Sequence, residues 1–169
     1  MADAEYNVLF LCVRNATRSI IAERVLDRYG GGRFKGYSAG SAPASEIHPY
    51  TLDLLSNQNY AVDGLRPKRW QEFTAADAPH MDFIFAVGDE AVEELSTTWP
   101  GEPLTSHWGI PDPADAEGSE AERRYAFADA MRMITQRVDI FVNLPLTAFD
   151  KSALQTRLDA IGGRQREGA

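Results

Sequence analysis

The chain has 169 residues, of which 44% are hydrophobic and 25% are charged, a composition typical of one globular domain with its own core. The formal net charge of −8 disfavours a general nucleic-acid-binding surface, and no apolar run reaches the length of a membrane span. The single cysteine, Cys12, excludes an intrachain disulfide and a four-cysteine zinc site. Because the first apolar run is also too short for a signal peptide, we expect a cytoplasmic protein with no nucleic-acid or membrane partner.

The first half of the chain alternates apolar strands with amphipathic helices. Residues 6–11 form an apolar run rich in strand-forming residues, and residues 19–29 place their apolar side chains on one side of a helix. Residues 34–38 predict a second strand, and residues 49–57 a helix that begins with a proline. The order strand, helix, strand, helix is therefore expected here.

The second half repeats the alternation with a longer helix. Residues 83–87 give the clearest later strand, residues 90–95 a short helix, and residues 103–108 a fourth strand. Apolar residues at helical spacing predict the longest helix over residues 119–142 and a last helix over residues 150–161.

This alternation indicates an α/β fold in a single doubly wound domain with right-handed crossovers. We expect the main domain to cover residues 1–145 and residues 146–169 to form a C-terminal helical extension packed on it, frayed from residue 162. In such sheets functional groups gather beyond the carboxyl ends of the strands, where both Cys12 and Asp112 fall.

The segment Cys12–Ser19, here called the anion loop, joins the first strand to the first helix. Backbone N–H groups in such a turn converge on an anion, and Arg18 can add a planar, two-pronged contact to its oxygens. The same positive field favours the thiolate form of Cys12, and Ser19 can donate a hydrogen bond to it. Asn15 tolerates the left-handed backbone that a tight loop demands. The alternative is a buried strand-end cysteine followed by a surface arginine.

The order Cys-x5-Arg-Ser between the first strand and the first helix resembles the low-molecular-weight protein tyrosine phosphatase superfamily, and within it the bacterial arsenate reductases built on the same fold. Four further stretches support the resemblance, and together they extend from residue 6 to about residue 145: residues 38–40, 82–87, 99–101 and 107–113. The resemblance implies a four-stranded parallel sheet with helices on both faces.

The resemblance also implies roles for individual residues. Cys12 would be the nucleophile, Arg18 the oxyanion clamp and Asp112 the general acid, with Ser19 as a further catalytic residue. The remaining oxyanion-binding groups would be the amides and hydroxyls of Val13, Arg14, Asn15, Ala16 and Thr17.

A potassium ion is a further possibility that the resemblance raises. Asn15, Glu23 and Ser38 match positions that support this ion in some arsenate reductases. Glu23 as an ordinary exposed helix residue is the alternative. No tightly bound cofactor is expected.

Two cysteines that thioredoxin-coupled arsenate reductases use are missing. Their neighbourhoods read Val87-Gly88-Asp89 and Leu95-Ser96-Thr97, so an intramolecular disulfide relay is impossible. An arsenate reductase of this kind needs an external thiol, such as glutathione with glutaredoxin.

Other departures argue against an ordinary tyrosine phosphatase. Ala114 and Asp115 follow the Asp-Pro pair where the phosphatases have tyrosines, and residues 41–47 contain no aromatic side chain, so a flat substrate loses stacking area. Arg14 stands where the family commonly has glycine. Its guanidinium either deepens the positive well, reaches a larger anionic substrate or points to solvent, and a backbone conformation that needs glycine is in doubt there.

Three functions follow. The first is an arsenate reductase-like enzyme acting in arsenic detoxification, with arsenite released by an external thiol. The second is a phosphatase that hydrolyses phosphotyrosine or a small phosphoester, and the third is a non-catalytic oxyanion-binding or regulatory protein. We expect a monomer or a weak homodimer, because the apolar stripe of Leu154, Leu158 and Ile161 either packs on the domain or forms a dimer contact.

Overall fold

The computed structural model describes residues 5–96 and 99–167, and side chains as far as residue 163. Four strands form one parallel sheet in the order β2-β1-β3-β4. The predicted α/β fold with a four-stranded parallel sheet is confirmed. The strands are β1 (Tyr6–Cys12), β2 (Phe34–Gly40), β3 (Phe83–Ala86) and β4 (Leu104–His107).

Helical segments cover both faces of the sheet. The short helix expected at residues 90–95 is a 3₁₀ helix, Asp89–Ser96, and a second 3₁₀ helix covers Trp70–Phe73. Two further 3₁₀ turns are Pro113–Asp115 and Leu146–Ala148. The α-helices are α1 (Arg18–Tyr29), α2 (Pro49–Asn57), α3 (Glu120–Val142) and α4 (Lys151–Glu167).

From Val8 to Cys12 the strand β1 is buried on both faces, which explains the uninterrupted apolar sequence of this part. Val8 and Phe10 belong to the larger core, shared with α1, α3 and α4. Leu9 and Leu11 belong to a smaller core on the other face, beneath the 3₁₀ helices. Alternate side chains therefore anchor β1 in two layers and fix where it ends.

The carboxyl ends of the strands bring distant segments together. Leu11 of β1 pairs with Ala86 of β3, and Ala86 pairs with His107 of β4. The segments that follow these three residues all leave the sheet at one edge. This edge carries the candidate site.

The C-terminal helix packs on the sheet through its apolar stripe. Leu154, Leu158 and Ile161 are all buried in the larger core, so this stripe packs on the domain and offers no dimer contact. The helix continues past residue 161 to Glu167, and a Cβ at Gly162 would meet the His107 carbonyl oxygen at 2.1 Å. Residues 168 and 169 lie outside the described residues. No helix in the described ranges is long and apolar enough to cross a membrane.

Candidate active site

The nucleophile position lies at the end of β1. Cys12 is 3% exposed, and its Sγ lies 2.9 Å from the Oγ of Ser19 in the first turn of α1. The Ser19 oxygen accepts a hydrogen bond from the Asn15 side-chain amide at 2.8 Å. Because that bond occupies a lone pair of the oxygen, the hydroxyl hydrogen is available to donate to the sulfur. From this position the Ser19 hydroxyl can donate to a thiolate on Cys12.

The anion loop has its carbonyl groups tied down from outside. Backbone amides of residues 42–48 donate to the carbonyls of Val13, Arg14 and Ala16 at 2.9, 2.9 and 3.2 Å. In a trans peptide the carbonyl and the following N–H point in opposite directions. The N–H groups that follow these three carbonyls therefore face the inside of the loop, where they can bind an oxyanion.

The Thr51 side chain in α2 supports the same loop. Its hydroxyl lies 3.1 Å from the Ala16 carbonyl oxygen and 3.3 Å from the Thr17 hydroxyl, and Thr51 is fully buried. Asn15 has the expected left-handed backbone, with φ of 48°. Arg14 is not among the residues with positive φ, so its position does not need glycine.

The Arg18 guanidinium joins three segments of the chain. It is 4% exposed and donates to the Ile110 carbonyl at 2.9 Å. Its other terminal nitrogen lies 3.4 Å from a Glu90 carboxylate oxygen and 3.5 Å from one of Asp112. Gly88 leaves room for the guanidinium, since a Cβ there would come within 2.8 Å of Nη1. Arg18 is thus held in place before any oxyanion binds.

The general-acid candidate Asp112 starts a short 3₁₀ turn. One carboxylate oxygen accepts from the Ala114 amide at 3.0 Å, while the other faces Arg18. Pro111 and Pro113 restrict the backbone on both sides of it. Its side chain is 19% exposed and lines the same pocket as Cys12, so it can exchange protons with solvent and with a bound substrate.

The pocket above Cys12 has a volume of about 200 Å³. Arg18 and Asp112 also line it, and one wall comes from residues 44–49. The described lining residues include no Phe, Tyr or Trp. Arg14 lines the pocket and is exposed. The pocket therefore fits a small oxyanion.

His48 is the ring-bearing residue of this wall. Its Nδ1 accepts from the Tyr50 amide at 3.1 Å, so in the neutral imidazole the proton sits on Nε2. Burial lowers the pKa of His48, and Asp112 opposes that shift. Tyr50 itself packs edge-on against Phe127 and stays with its helix.

A potassium ion does not fit the three residues that the resemblance suggested. The Lys68 ammonium lies 3.4 Å from Asn15 Oδ1 and 3.1 Å from the Ser38 carbonyl oxygen. Glu23 is not exposed: its side chain is 12% accessible and accepts from the Ser38 hydroxyl at 2.7 Å. The Lys68 ammonium, a cation that is part of the chain itself, already occupies this place. Within the described residues, no three His, Cys, Asp or Glu side chains cluster to hold a metal.

Burial also shifts the pKa values of Glu23 and Lys68. Burial raises the pKa of the Glu23 carboxyl, while the Ser38 hydrogen bond and Lys68 act in the opposite direction. Burial lowers the pKa of the Lys68 ammonium, and Glu23 opposes that shift. Each charge therefore stabilises the other in a place poor in water.

Cys12, Arg18 and Asp112 line one pocket, and the buried Ser19 contacts Cys12, so the structure brings the four predicted residues together. Glu23 and Ser38 lie behind the anion loop and do not line this pocket. Sequence reasoning missed the supporting residues Thr51, Lys68, Gly88 and Glu90. Gly88 and Glu90 follow β3 at the same sheet edge, which was a usable signal; nothing local marks Thr51 or Lys68.

Comparison with known proteins gives a coherent set of relatives. The family model described as low molecular weight phosphotyrosine protein phosphatase matches residues 7–153. An arsenate reductase of Bacillus licheniformis is 27% identical over 135 residues, which cover 79% of this chain and 93% of that protein.

Solved structures show the same fold. A thioredoxin-dependent arsenate reductase of Corynebacterium glutamicum is 27% identical, with a TM-score of 0.54, over 83% of this chain and 65% of the other, just under two thirds. The tyrosine phosphatase Wzb of Escherichia coli K30, in complex with sulphate, is 21% identical, with a TM-score of 0.63, over 80% and 95% of the two chains. Both an arsenate reductase and a phosphatase therefore share this architecture.

Proposed function

The chain belongs to the low molecular weight phosphotyrosine protein phosphatase family, and from that premise we propose that it is an arsenate reductase-like enzyme in which Cys12 attacks arsenate and an external thiol releases arsenite. The family comprises the arsenate reductases and phosphatases described above. The two activities differ in the step that releases Cys12 from its covalent intermediate: a thiol attacks the sulfur in a reductase, and water attacks phosphorus in a phosphatase.

The observation that carries the proposal is the pairing of a complete anion loop with a single cysteine. The loop offers inward N–H groups, the buried Arg18 guanidinium and the Ser19 contact to Cys12. The pocket above it has room for a small oxyanion, and its described lining includes no Phe, Tyr or Trp for stacking. An enzyme with these groups binds arsenate well and binds a flat phosphoester less well.

In the first step the Cys12 thiolate attacks arsenic and a sulfur–arsenic bond forms. One arsenate oxygen departs as water after Asp112 protonates it. Arg18 and the loop amides stabilise the charge on the remaining oxygens.

The second step requires an external thiol, which we assign to glutathione. Its thiolate attacks the Cys12 sulfur, the sulfur–arsenic bond breaks, and the electron pair stays on arsenic, which leaves as arsenite. The mixed disulfide on Cys12 is then reduced by a glutaredoxin or a second glutathione, which restores the thiolate. No second cysteine of the chain takes part.

A phosphatase is the second candidate, and one observation favours it. Ile47, His48 and Pro49 line the pocket wall and offer a small apolar surface beside Cys12 to a phosphoester's leaving group. In that case water attacks phosphorus in a phosphocysteine intermediate. A non-catalytic oxyanion-binding protein is disfavoured, because binding alone does not need a carboxyl group such as Asp112 beside Arg18.

A paired activity assay on the wild type and Cys12→Ser tests the proposal. One arm follows arsenite formation from arsenate with glutathione and glutaredoxin, and the other follows aryl phosphate hydrolysis. We expect arsenite formation in the wild type and none in the variant. Hydrolysis without arsenite would replace the proposal with the phosphatase, and inactivity in both arms would favour the binding protein.

A further inference from the structure

Lys68, one of three lysines in the chain, lies behind the anion loop on the side away from the pocket. Its backbone is fixed at both ends: its amide donates to Asn15 Oδ1 at 2.9 Å, and its carbonyl accepts from the Gly40 amide at 2.9 Å. Its ammonium contacts the Ser38 carbonyl at 3.1 Å and Asn15 Oδ1 at 3.4 Å. Backbone and side chain thus converge on Asn15.

These contacts determine the orientation of the Asn15 amide. A backbone N–H and an ammonium can only donate, so the atom they contact is the amide oxygen. The nitrogen is therefore directed at Ser19, where it donates to Oγ at 2.8 Å. That bond leaves the Ser19 hydrogen for the Cys12 sulfur at 2.9 Å. Lys68 is the first member of a chain of hydrogen bonds that ends at the nucleophile.

We propose that Lys68 is a positioning residue whose ammonium acts as a built-in cation: it holds and polarises Asn15, and through Asn15 and Ser19 it favours the thiolate of Cys12. The ammonium takes the place of an exchangeable monovalent ion. Hydrogen bonds in a chain polarise one another, so a positive charge at one end strengthens donation at the other. The inference rests on Cys12 being the reactive thiol of the proposed function.

The surrounding charges explain why a cation is stable there. The Glu23 carboxylate accepts from the Ser38 hydroxyl at 2.7 Å and is electrostatically coupled to Lys68. Glu72 also favours the ammonium, whereas Arg66 and Arg24, which lies 3.7 Å from Glu23, oppose it. Removal of the Lys68 side chain would leave the Glu23 carboxylate, the Asn15 amide oxygen and the Ser38 carbonyl oxygen without their cation. Oxygen ligands of this kind suit a hard monovalent cation.

The first experiment measures Cys12 alkylation by iodoacetamide from mildly acidic to mildly alkaline pH in Lys68→Met and in Lys151→Met, an exposed lysine on α4. We expect Lys68→Met to react about threefold to tenfold more slowly at mildly acidic pH and to approach the wild-type rate at alkaline pH, since the charge it loses acts on thiolate formation. Lys151→Met should follow the wild type. A Lys68→Met profile equal to that of the wild type overturns the inference.

A second experiment does not depend on how well Lys68→Met folds. Lys68→Arg keeps a cation and should keep the wild-type profile. Lys68→Ala should react slowly in choline chloride and recover in potassium chloride, whereas the wild type should not respond to the exchange. A wild type that depends on potassium, or a Lys68→Ala variant that potassium does not rescue, contradicts the built-in cation.

Alkylation needs no turnover, so the two proposals fail in different ways. If wild-type Cys12 reacts slowly at acidic pH and phosphate does not protect it, Cys12 is not an activated nucleophile and the proposed function fails. If the wild type reacts rapidly and Lys68→Met behaves identically, only the role of Lys68 is wrong.

Discussion

Two loops form the candidate site, and they are held in opposite ways. The anion loop is buried and depends on partners far along the chain: residues 42–48 and Thr51 bind its carbonyls, and Lys68 binds Asn15. The segment 109–115, here called the acid loop, depends mainly on its own prolines and on a local bond from the Ala114 amide to Asp112, besides one bond from the Ile110 amide to the Val87 carbonyl. Arg18 connects the two loops through the Ile110 carbonyl.

The difference follows from what each loop has to do. Several N–H groups must point at one anion, and only contacts from several directions can hold that geometry. A general acid needs one carboxyl group at the pocket and access to protons, so local stiffness suffices and partial exposure is useful. We therefore expect changes in the anion loop to affect both stability and chemistry, and changes in the acid loop to affect chemistry alone.

The largest effect is expected where the two loops meet, at Arg18. Arg18→Lys keeps the charge and loses the planar fork that holds Ile110 and an oxyanion together, so kcat/KM should fall by about 10²–10³-fold. Steady-state kinetics on whichever substrate the paired assay identifies would measure this. The control is Arg132→Lys, because Arg132 is an exposed residue of α3 that pairs with Asp129. Wild-type kcat/KM in Arg18→Lys would mean that the fork has no role.

The acid loop should lose chemistry without losing stability. Asp112→Asn still accepts from the Ala114 amide, so its melting temperature should stay close to that of the wild type, while kcat falls by about 10²-fold because no proton is delivered. The neighbouring exposed Asp115→Asn controls for charge alone. Equal rates for the two variants would remove Asp112 from the mechanism.

A steric change beside Arg18 separates the clamp from the fold. In Gly88→Ala the new methyl group would come within 2.8 Å of the guanidinium, which must shift. We expect about a tenfold fall in kcat/KM, which corresponds to about 1.4 kcal/mol of transition-state stabilisation, with a small change in melting temperature. Gly163→Ala, where a Cβ meets nothing within 4 Å, is the matched control. An active Gly88→Ala would show that the clamp tolerates displacement.

Support of the anion loop from α2 should appear mainly as stability. Thr51→Val keeps the shape and removes the hydroxyl that contacts the Ala16 carbonyl, so we expect a loss of about 1 kcal/mol of unfolding free energy. Urea denaturation measures it. Thr156→Val, on the exposed side of α4, should change little. If both variants lose the same amount, Thr51 does not support the loop.

The smallest effect is expected at Glu90, whose pKa is lowered by a hydrogen bond from its own backbone amide and further by Arg18. A carboxyl group with a lowered folded-state pKa stabilises the protein above its ordinary value of 4.5, and that contribution is lost as the pH falls through the folded-state value. Glu90→Gln should therefore melt slightly below the wild type at neutral pH and converge with it in acid. Glu93→Gln on the same 3₁₀ helix is the control, and a constant difference at all pH values would contradict the assignment.

Much of the site was predictable because it is contiguous or lies at a predictable edge. Cys12, Ser19 and Arg18 belong to one segment between a strand and a helix, and Asp112 follows the last strand with a proline on each side. The potassium hypothesis did not include the lysine, because Lys68 comes from a segment whose sequence shows no sign of turning toward Asn15. The contact between them spans 53 positions of the chain.

The sequence by itself determined the fold class and predicted that Cys12 is the nucleophile. These depend on hydrophobic periodicity and on neighbours within a few residues, which are written in the order of the chain. Only the tertiary structure decided which groups hold the nucleophile: Thr51 beneath the loop, Glu90 and Gly88 around Arg18, and Lys68 behind Asn15. Those contacts arise because parallel strands end at a common edge and bring separate loops together. The strand pattern places Gly88 and Glu90 at that edge, whereas no local pattern marks Thr51 or Lys68.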